Sequence, residues 1–281
     1  MATLYLVSTP IGNLGDLSAR AGQVLNGVHR ILAEDTRRTR VLADHVGASC
    51  PLVSLHAHNE AERVQRVLGW LDDGEDLALV SDAGTPLVSD PGGRLVAAVT
   101  AAGHTVVPIP GPSAVLAALV ASGLPSERFV FLGFPDRKGP GRRDLLDRVA
   151  ASEDTVVLFE SPQRLVRLLD DLAGACGPDR RVSVARELTK IHEEFVRGTL
   201  PEAARYYEEH PPRGEVTLVV APADNAPADP GVVEEEARVL ARALLAEGRR
   251  ASQVAKAVAR RLDVSRNDAY RIVLDVEASG A

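Results

Sequence analysis

Three short turns concentrate the residue types that could do chemistry. The first, Ser8-Thr9-Pro10-Ile11-Gly12-Asn13-Leu14, leaves an apolar run, is stiffened by Pro10 and is opened to close backbone approach by Gly12. The second, Ser81-Asp82-Ala83-Gly84-Thr85-Pro86-Leu87-Val88-Ser89-Asp90-Pro91-Gly92, combines paired Asp, Pro and Gly. That composition builds a fixed irregular backbone with carboxylates and amides on offer. The third, Pro108-Ile109-Pro110-Gly111-Pro112-Ser113-Ala114, opens onto a helix that Ser113 either caps or leaves in order to contact a ligand. Neither GxGxxG nor GxxxxGK[ST] is present, so a pyrophosphate or a nucleoside triphosphate is disfavoured. What suits these turns is a nucleotide-like ligand without phosphates. Asp90 reads as the cap of a helix opening at Pro91; Asp82 has no such structural role. Cys50 and Cys176 lie outside any CxxC or CxxxH cluster and read as buried thiols, with no zinc or other metal implied.

Such turns need a frame to hold them. Val/Leu/Ile runs at Leu4–Ser8, Ile31–Glu34, Leu52–Leu55, Leu77–Ser81 and Val106–Ile109 alternate with amphipathic stretches such as Asn59–Asp73 and Pro91–Ala102. The pattern is that of a largely parallel sheet with helices on its faces. All three turns then fall at the carboxyl edge of one sheet and define one pocket. Further runs at Phe129–Gly133, Val156–Phe159, Val182–Ala185, Phe195–Gly198 and Val216–Val220 are joined by shorter links and predict a mixed sheet. We expect an N-terminal α/β domain over 1–124, a second over 125–221, a Pro/Ala/Asp-rich linker over 222–231 and a small helical domain over 232–281. Within the last, helices over Ser252–Leu262, with Ser252 as cap, and over Arg266–Glu277 meet at a tight turn like a helix-turn-helix. A plain three-helix packing module fits that pattern equally.

The net charge of −7 opposes an anionic partner, yet positive charge is clustered. Arg37, Arg38 and Arg40 form one group, Arg137, Lys138, Arg142 and Arg143 a second, and Arg249, Arg250, Arg260 and Arg261 a third. Each is either a phosphate-contacting patch or a solvated face. No apolar run approaches the roughly 20 residues needed to span a bilayer, and Met1–Val7 lacks the regions of a signal peptide. A cytoplasmic protein with no membrane partner is expected.

In order along the chain stand STPIGNL, AEDTRRT, HNE, SDAGTPLVSDPG, PGPSA, LGFP, FESPQRL, VARELTKIHEE and GEVTLVV. Together they resemble the branch of the tetrapyrrole methylase superfamily that methylates small-subunit ribosomal RNA at a ribose 2′-hydroxyl. The likeness runs from Leu4 to about Val220. It implies two α/β domains of tetrapyrrole methylase type with a cofactor cleft between them, plus a small C-terminal helical domain. The cofactor implied is S-adenosylmethionine. Pro10, Asp82, Ala83, Gly84, Val88, Ser113 and Ala114 match the superfamily's cofactor positions, and Glu160, Leu188 and Thr217 match in the second domain. The SDAGTP loop inserts residues relative to the macrocycle methylases, so Ala83 and Gly84 align less firmly than Asp82. By the same resemblance the substrate is a cytidine in the decoding region of small-subunit ribosomal RNA, free or within the assembled 30S subunit, and the enzyme is a homodimer. Arg37, Arg38, Arg142, Arg143, Arg260 and Arg261 are the candidate RNA contacts.

Methyl transfer from a sulfonium chiefly requires an aligned nucleophile, and a group that accepts the hydroxyl proton assists. Only Lys138, Lys190 and Lys256 of the 32 basic residues are lysine, and lysine, unlike arginine, can lose its proton when buried. Lys190, oriented by Glu187, is therefore the leading candidate for that acceptor; a surface lysine paired with Glu193 or Glu194 is the structural alternative. Asp35 is the second candidate, although it also suits the cap of the helix that follows. Two rival functions stay open: methylation of a corrin-type macrocycle on the same fold, and nucleic-acid binding without catalysis.

Overall fold

The computed structural model describes residues 2–223, 230–246, 249, 251–262 and 265–279. Every run expected as a strand is one; the inner strands place β-branched and Leu residues where both faces are covered, while Phe129–Phe131 and Glu194–Thr199 are partly exposed edges. Five parallel strands form the first sheet: β1 (Thr3–Val7), β2 (Arg30–Ala33), β3 (Leu52–Ser54), β4 (Leu77–Val80) and β5 (Thr105–Ile109), in the order β3-β2-β4-β1-β5. β4 is buried at every residue, as a central strand covered on both faces must be. The crossovers carry α1 (Ala19–Gly27), α2 (Thr36–Val46), α3 (Glu60–Asp72) and α4 (Gly93–Ala101), and α5 (Ala114–Ala121) leaves β5. The strand order reverses beside β1, and the crevice this leaves at the carboxyl edge is bridged by backbone bonds between Thr9 and Gly84 of 2.9 and 3.1 Å.

The second sheet is mixed, as the short links require. β6 (Phe129–Phe131) runs parallel to β7 (Thr155–Glu160), while β8 (Arg181–Arg186), β9 (Glu194–Thr199) and β10 (Val216–Val220) complete it antiparallel in the order β6-β7-β10-β8-β9. One face packs against α6 (Pro140–Ala150), α7 (Leu165–Cys176) and α8 (Leu200–Glu209). Leu165, Leu168, Leu169 and Leu172 of α7 are wholly buried there, each contributing about 2 kcal/mol by removal from water. The other face meets α5 and the first turn: Ile11, Val115, Ala118 and Leu119 pack on Val157, Ala185, Leu188 and Val219. This explains the uniformly apolar sequence of α5, although Leu116 and Val120 on it stay exposed.

Residues 1–223 form one unit and 224–281 another. The second contains α9 (Pro230–Ala246), α10 (Ala251–Leu262) and α11 (Arg266–Ser279) around Ala237, Ala241, Val254, Val258, Ile272 and Val273. Ser265 caps α11, its Oγ accepting from the Asp268 N–H at 3.1 Å. Ser252 does not cap α10, which already begins at Ala251. The cysteines are half-buried rather than buried, and burial raises both thiol pKa values. No helix among the described residues is long and apolar enough to cross a membrane.

Candidate functional site

The three turns are stitched together by their own side chains. The Ser8 hydroxyl donates to Thr85 Oγ1 at 3.2 Å, and Thr85 Oγ1 donates to the Pro112 carbonyl at 3.2 Å, linking first, second and third turns in one line. Gly111 is required where the third turn crosses the first, since a Cβ there would stand 2.8 Å from that of Ser8. Within the second turn Leu87 and Ser89 adopt φ of 72° and 67°. Non-glycine residues in that region cost about 1–3 kcal/mol each and persist where surrounding structure fixes a functional loop.

These turns line one side of a cavity of about 390 Å³, within the range of small-molecule sites. Its wall includes Asp82, Ala83, Gly84, Val88, Ser113 and Ala114 from the first sheet's edge, and Glu160 and Thr217 from the second sheet. Two of the ten expected cofactor contacts lie elsewhere. Pro10 lines a smaller recess of about 100 Å³ that shares Arg38 and Asp82 with the main cavity. Leu188 is buried in the apolar layer between the sheets rather than on the cavity wall.

Asp90 corrects the expectation drawn from its sequence. It does not cap α4, whose cap residue is Gly92 with no side-chain bond. The cap comes from α3 instead, where the buried Glu60 carboxylate accepts from the Leu95 N–H at 3.0 Å. Asp90 is thereby left on the cavity wall. Burial and then the Glu34 carboxylate push its pKa up to about 6, against a hydrogen bond from Ser81, with Asp82 adding to the rise. Glu34 is raised in turn, by burial first and Asp82 next, against Arg38 and His56. The Arg38 guanidinium stands 3.7 Å from the Asp82 carboxylate, whose other oxygen accepts the Asp35 N–H at 3.0 Å.

Glu160 has a side chain with no exposure. Its Oε1 accepts the Ser161 N–H at 2.7 Å and pairs with Arg164, while Oε2 has no hydrogen-bond partner among the described residues. A buried carboxylate oxygen without a donor calls for one, and hydroxyls or an ammonium on a nucleoside-like ligand would supply it. Gly214, at φ 81°, lies on the opposite wall and packs tightly on Glu187, since a Cβ there would overlap the Glu187 carboxylate.

The catalytic expectations fare differently. Lys190 Nζ donates to Glu187 Oε1 at 2.7 Å and to Glu215 Oε2 at 3.0 Å, so its partners are neither Glu193 nor Glu194. Burial pulls its pKa down, but the bonds to Glu187 and Glu215 outweigh this and the net shift is upward. Lys190 is therefore held as an ammonium, opposite to what a proton acceptor needs. Its stem lies against Gly12, where any Cβ would overlap it. Glu187, which accepts from Lys190, sits at φ 52° with Thr189 at 65°, a second strained stretch beside the first turn. Asp35 proves to be the cap of α2: its carboxylate accepts from the Arg37 N–H at 2.9 Å and pairs with the Arg37 side chain at 2.7 Å. Those bonds hold its pKa well below the usual carboxylate range, which makes it a weaker base than an ordinary aspartate.

Among the candidate RNA contacts, Arg37 and Arg143 are exposed and Arg38 lines the cavity. Arg142 is withdrawn from that role. It is buried, donates to Asp171 Oδ2 at 2.6 and 2.9 Å and to the Asp136 carbonyl at 3.0 Å, and so ties α6 to α7. Arg260 and Arg261 lie on α10 with side chains outside the described residues.

The sequence signals that went unused are those of Asp90, masked by its Asp-Pro context, and of Phe134 and Phe159, whose LGFP and FESP motifs put aromatics on the cavity wall. Residues 3–204 match the family of tetrapyrrole (corrin/porphyrin) methylases. A Synechocystis protein called ribosomal RNA small subunit methyltransferase I is 47% identical over 281 residues, covering all of both chains. A Xylella fastidiosa protein of the same name is 48% identical over 259 residues, covering 92% of this chain and 93% of that one. The crystal structure of uroporphyrin-III C-methyltransferase from Thermus thermophilus, complexed with S-adenosylhomocysteine, superposes with a TM-score of 0.58 at 21% identity. That superposition covers 78% of this chain and 97% of the other, and it shows a shared fold.

Proposed function

The chain belongs to the tetrapyrrole (corrin/porphyrin) methylase family, and from that premise we propose that it methylates small-subunit ribosomal RNA at the ribose 2′-hydroxyl of a cytidine in the decoding region, using S-adenosylmethionine. The observation that carries the reading is a single cavity in which residues from both sheets meet, with a partnerless buried oxygen on Glu160 and a half-buried acid, Asp90. The ammonium and ribose hydroxyls of S-adenosylmethionine are donors of the kind Glu160 Oε2 lacks. When bound, this cofactor supplies a methyl group already activated by its sulfonium. The backbone around Gly84, fixed by the Thr9 bridge, and the walls at Ala83 and Ala114 hold the cofactor's place.

Asp90 takes the part that residue type alone assigns to Lys190: it accepts the proton of the attacking hydroxyl, being ionised above about pH 6 and more basic than an ordinary aspartate. Lys190 instead bridges Glu187 to Glu215, which lines the cavity's far wall, and offsets part of their charge. Exposed Arg37 and Arg143 meet the RNA backbone. The names of the relatives support ribosomal RNA as substrate, and with it a cytoplasmic site of action. The assembled 30S subunit as substrate and a homodimeric enzyme belong to the same proposal.

The test is transfer of labelled methyl from S-adenosylmethionine to small-subunit RNA and to purified 30S particles, followed by mass-spectrometric mapping. A 2′-O-methylated cytidine is expected. No calorimetric binding of S-adenosylmethionine would remove the methyltransferase reading, and label confined to a macrocyclic precursor would replace its substrate.

A further inference from the structure

Phe134 is one of only five phenylalanines in the chain, lines the cavity, and is 55% exposed. Its ring is backed by Phe159 at 5.3 Å between centroids, and Phe159 by Phe131 at 4.9 Å, so three of the five phenylalanines form a ladder from the second sheet to the cavity mouth. The turn that carries it is pinned. The Gly133 carbonyl accepts the Phe159 N–H at 2.9 Å, and Gly133, at φ 67°, abuts the strained second turn, where a Cβ would stand 3.3 Å from Ser89 Oγ. On its other side Arg142, held by Asp171, grips the Asp136 carbonyl. Its contact with Phe159 leaves more than half of the residue in water beside the cavity, more than packing on the sheet requires, and the loop and helix after it expose Arg137, Lys138 and Arg143 alongside Asp136 and Asp144.

Resting on the proposed RNA substrate, we infer that Phe134 is the stacking platform for the base of the target nucleotide, with Arg137, Lys138 and Arg143 beside it for the flanking phosphates. A ribose hydroxyl can reach a recessed cavity only if its nucleotide leaves the stack, and proteins that read single-stranded RNA receive such bases on aromatic faces. The Phe159 and Phe131 rings behind it keep Phe134 in place, so the platform exists before the RNA arrives.

The experiment compares the full chain with Phe134→Leu and Phe134→Trp, using whichever of small-subunit RNA or 30S particle the unaltered chain methylates. Phe134→Leu should raise KM for RNA about 10-fold or more, with kcat at saturating RNA and the S-adenosylmethionine Kd each within about 3-fold. Phe134→Trp should restore KM to within about 3-fold, a rescue that an apolar packing role would not distinguish from leucine. Because the residue is exposed, thermal unfolding should not separate the variants. An unchanged RNA KM in Phe134→Leu overturns the inference, and so does a weakened cofactor Kd with RNA KM intact, which would seat the cofactor's adenine there instead. If the unaltered chain methylates neither RNA nor particle, the RNA reading fails and this inference with it, an outcome distinct from either of the others.

Discussion

Burial, and then the charge of Glu34, makes Asp90 a base of pKa about 6 in a cavity where an ordinary aspartate would be a poor one. Its ionised form is the active one, so kcat/KM should rise about tenfold per pH unit up to about pH 6 and then level. Asp90→Asn should lower kcat by about 100-fold or more with little change in the calorimetric S-adenosylmethionine Kd; turnover within about 3-fold of normal would remove Asp90 from the reaction. The same shift predicts an effect on stability. A pKa raised from 3.8 to about 6 on folding means the native state holds the proton more tightly, so the stabilisation from protonated Asp90 is complete below about pH 4 and lost as pH rises through about 6. Asp90→Asn should therefore gain about 1 kcal/mol relative to the unaltered chain above that pH, solvent screening of a half-buried group limiting the gain, and little below pH 4. Denaturant unfolding at pH 4 and pH 8 measures the difference. From sequence alone this residue was hidden, because Asp-Pro at a helix opening has a sufficient structural explanation. Lys190 misled in the opposite direction: rarity of lysine marked it, but the carboxylates of Glu187 and of Glu215, the latter distant in sequence, together reverse the expected shift.

At the scale of elements, the strands and most helices were legible because burial on two faces leaves long Val, Leu and Ile runs, and because Pro and Gly punctuate their ends. What was not legible is which element completes another. The bare N-terminus of α4 is capped across 35 residues by Glu60 of α3, and the second turn is free for the cavity as a result. Glu60→Ala should cost about 1–2 kcal/mol in unfolding free energy, the loss of a helix cap, and should weaken S-adenosylmethionine binding by releasing the loop above it. Glu60→Gln keeps an acceptor oxygen and should recover most of the stability; equal losses in both would mean that the charge of Glu60, not its bond to Leu95, is what matters. The positive φ values of Leu87, Ser89, Glu187 and Thr189 were likewise invisible, since none is a residue type that announces such a conformation. Both strained pairs flank the cavity region, and the first follows closely on Thr85, where the hydrogen bonds of Ser8 and Pro112 tie the second turn to the other two.

For the whole molecule, net charge argued against RNA and the arginine clusters argued for it, and the two arguments apply to different parts of the chain. Every residue of the cavity wall lies within 1–223, a unit with buried cores on both sheets, whereas 224–281 has a separate core of its own. If the second unit serves the RNA, a chain ended after Ala223 should unfold cooperatively and bind S-adenosylmethionine within about 3-fold of the full chain, because nothing in the cavity is removed. Its KM for RNA should rise about 10-fold or more at physiological salt, and the slope of log KM against log salt should flatten by about 0.7–0.9 for each phosphate that the helices had neutralised. That slope separates the two roles left open for the helical unit. A packing module neutralises no phosphates, so its removal would leave the slope as it was even if KM changed; a nucleic-acid-binding unit cannot be removed without lowering it. Arg260→Ala with Arg261→Ala in the full chain isolates the charge from the fold of α10, and an unaltered slope there would remove Arg260 and Arg261 from the phosphate contacts.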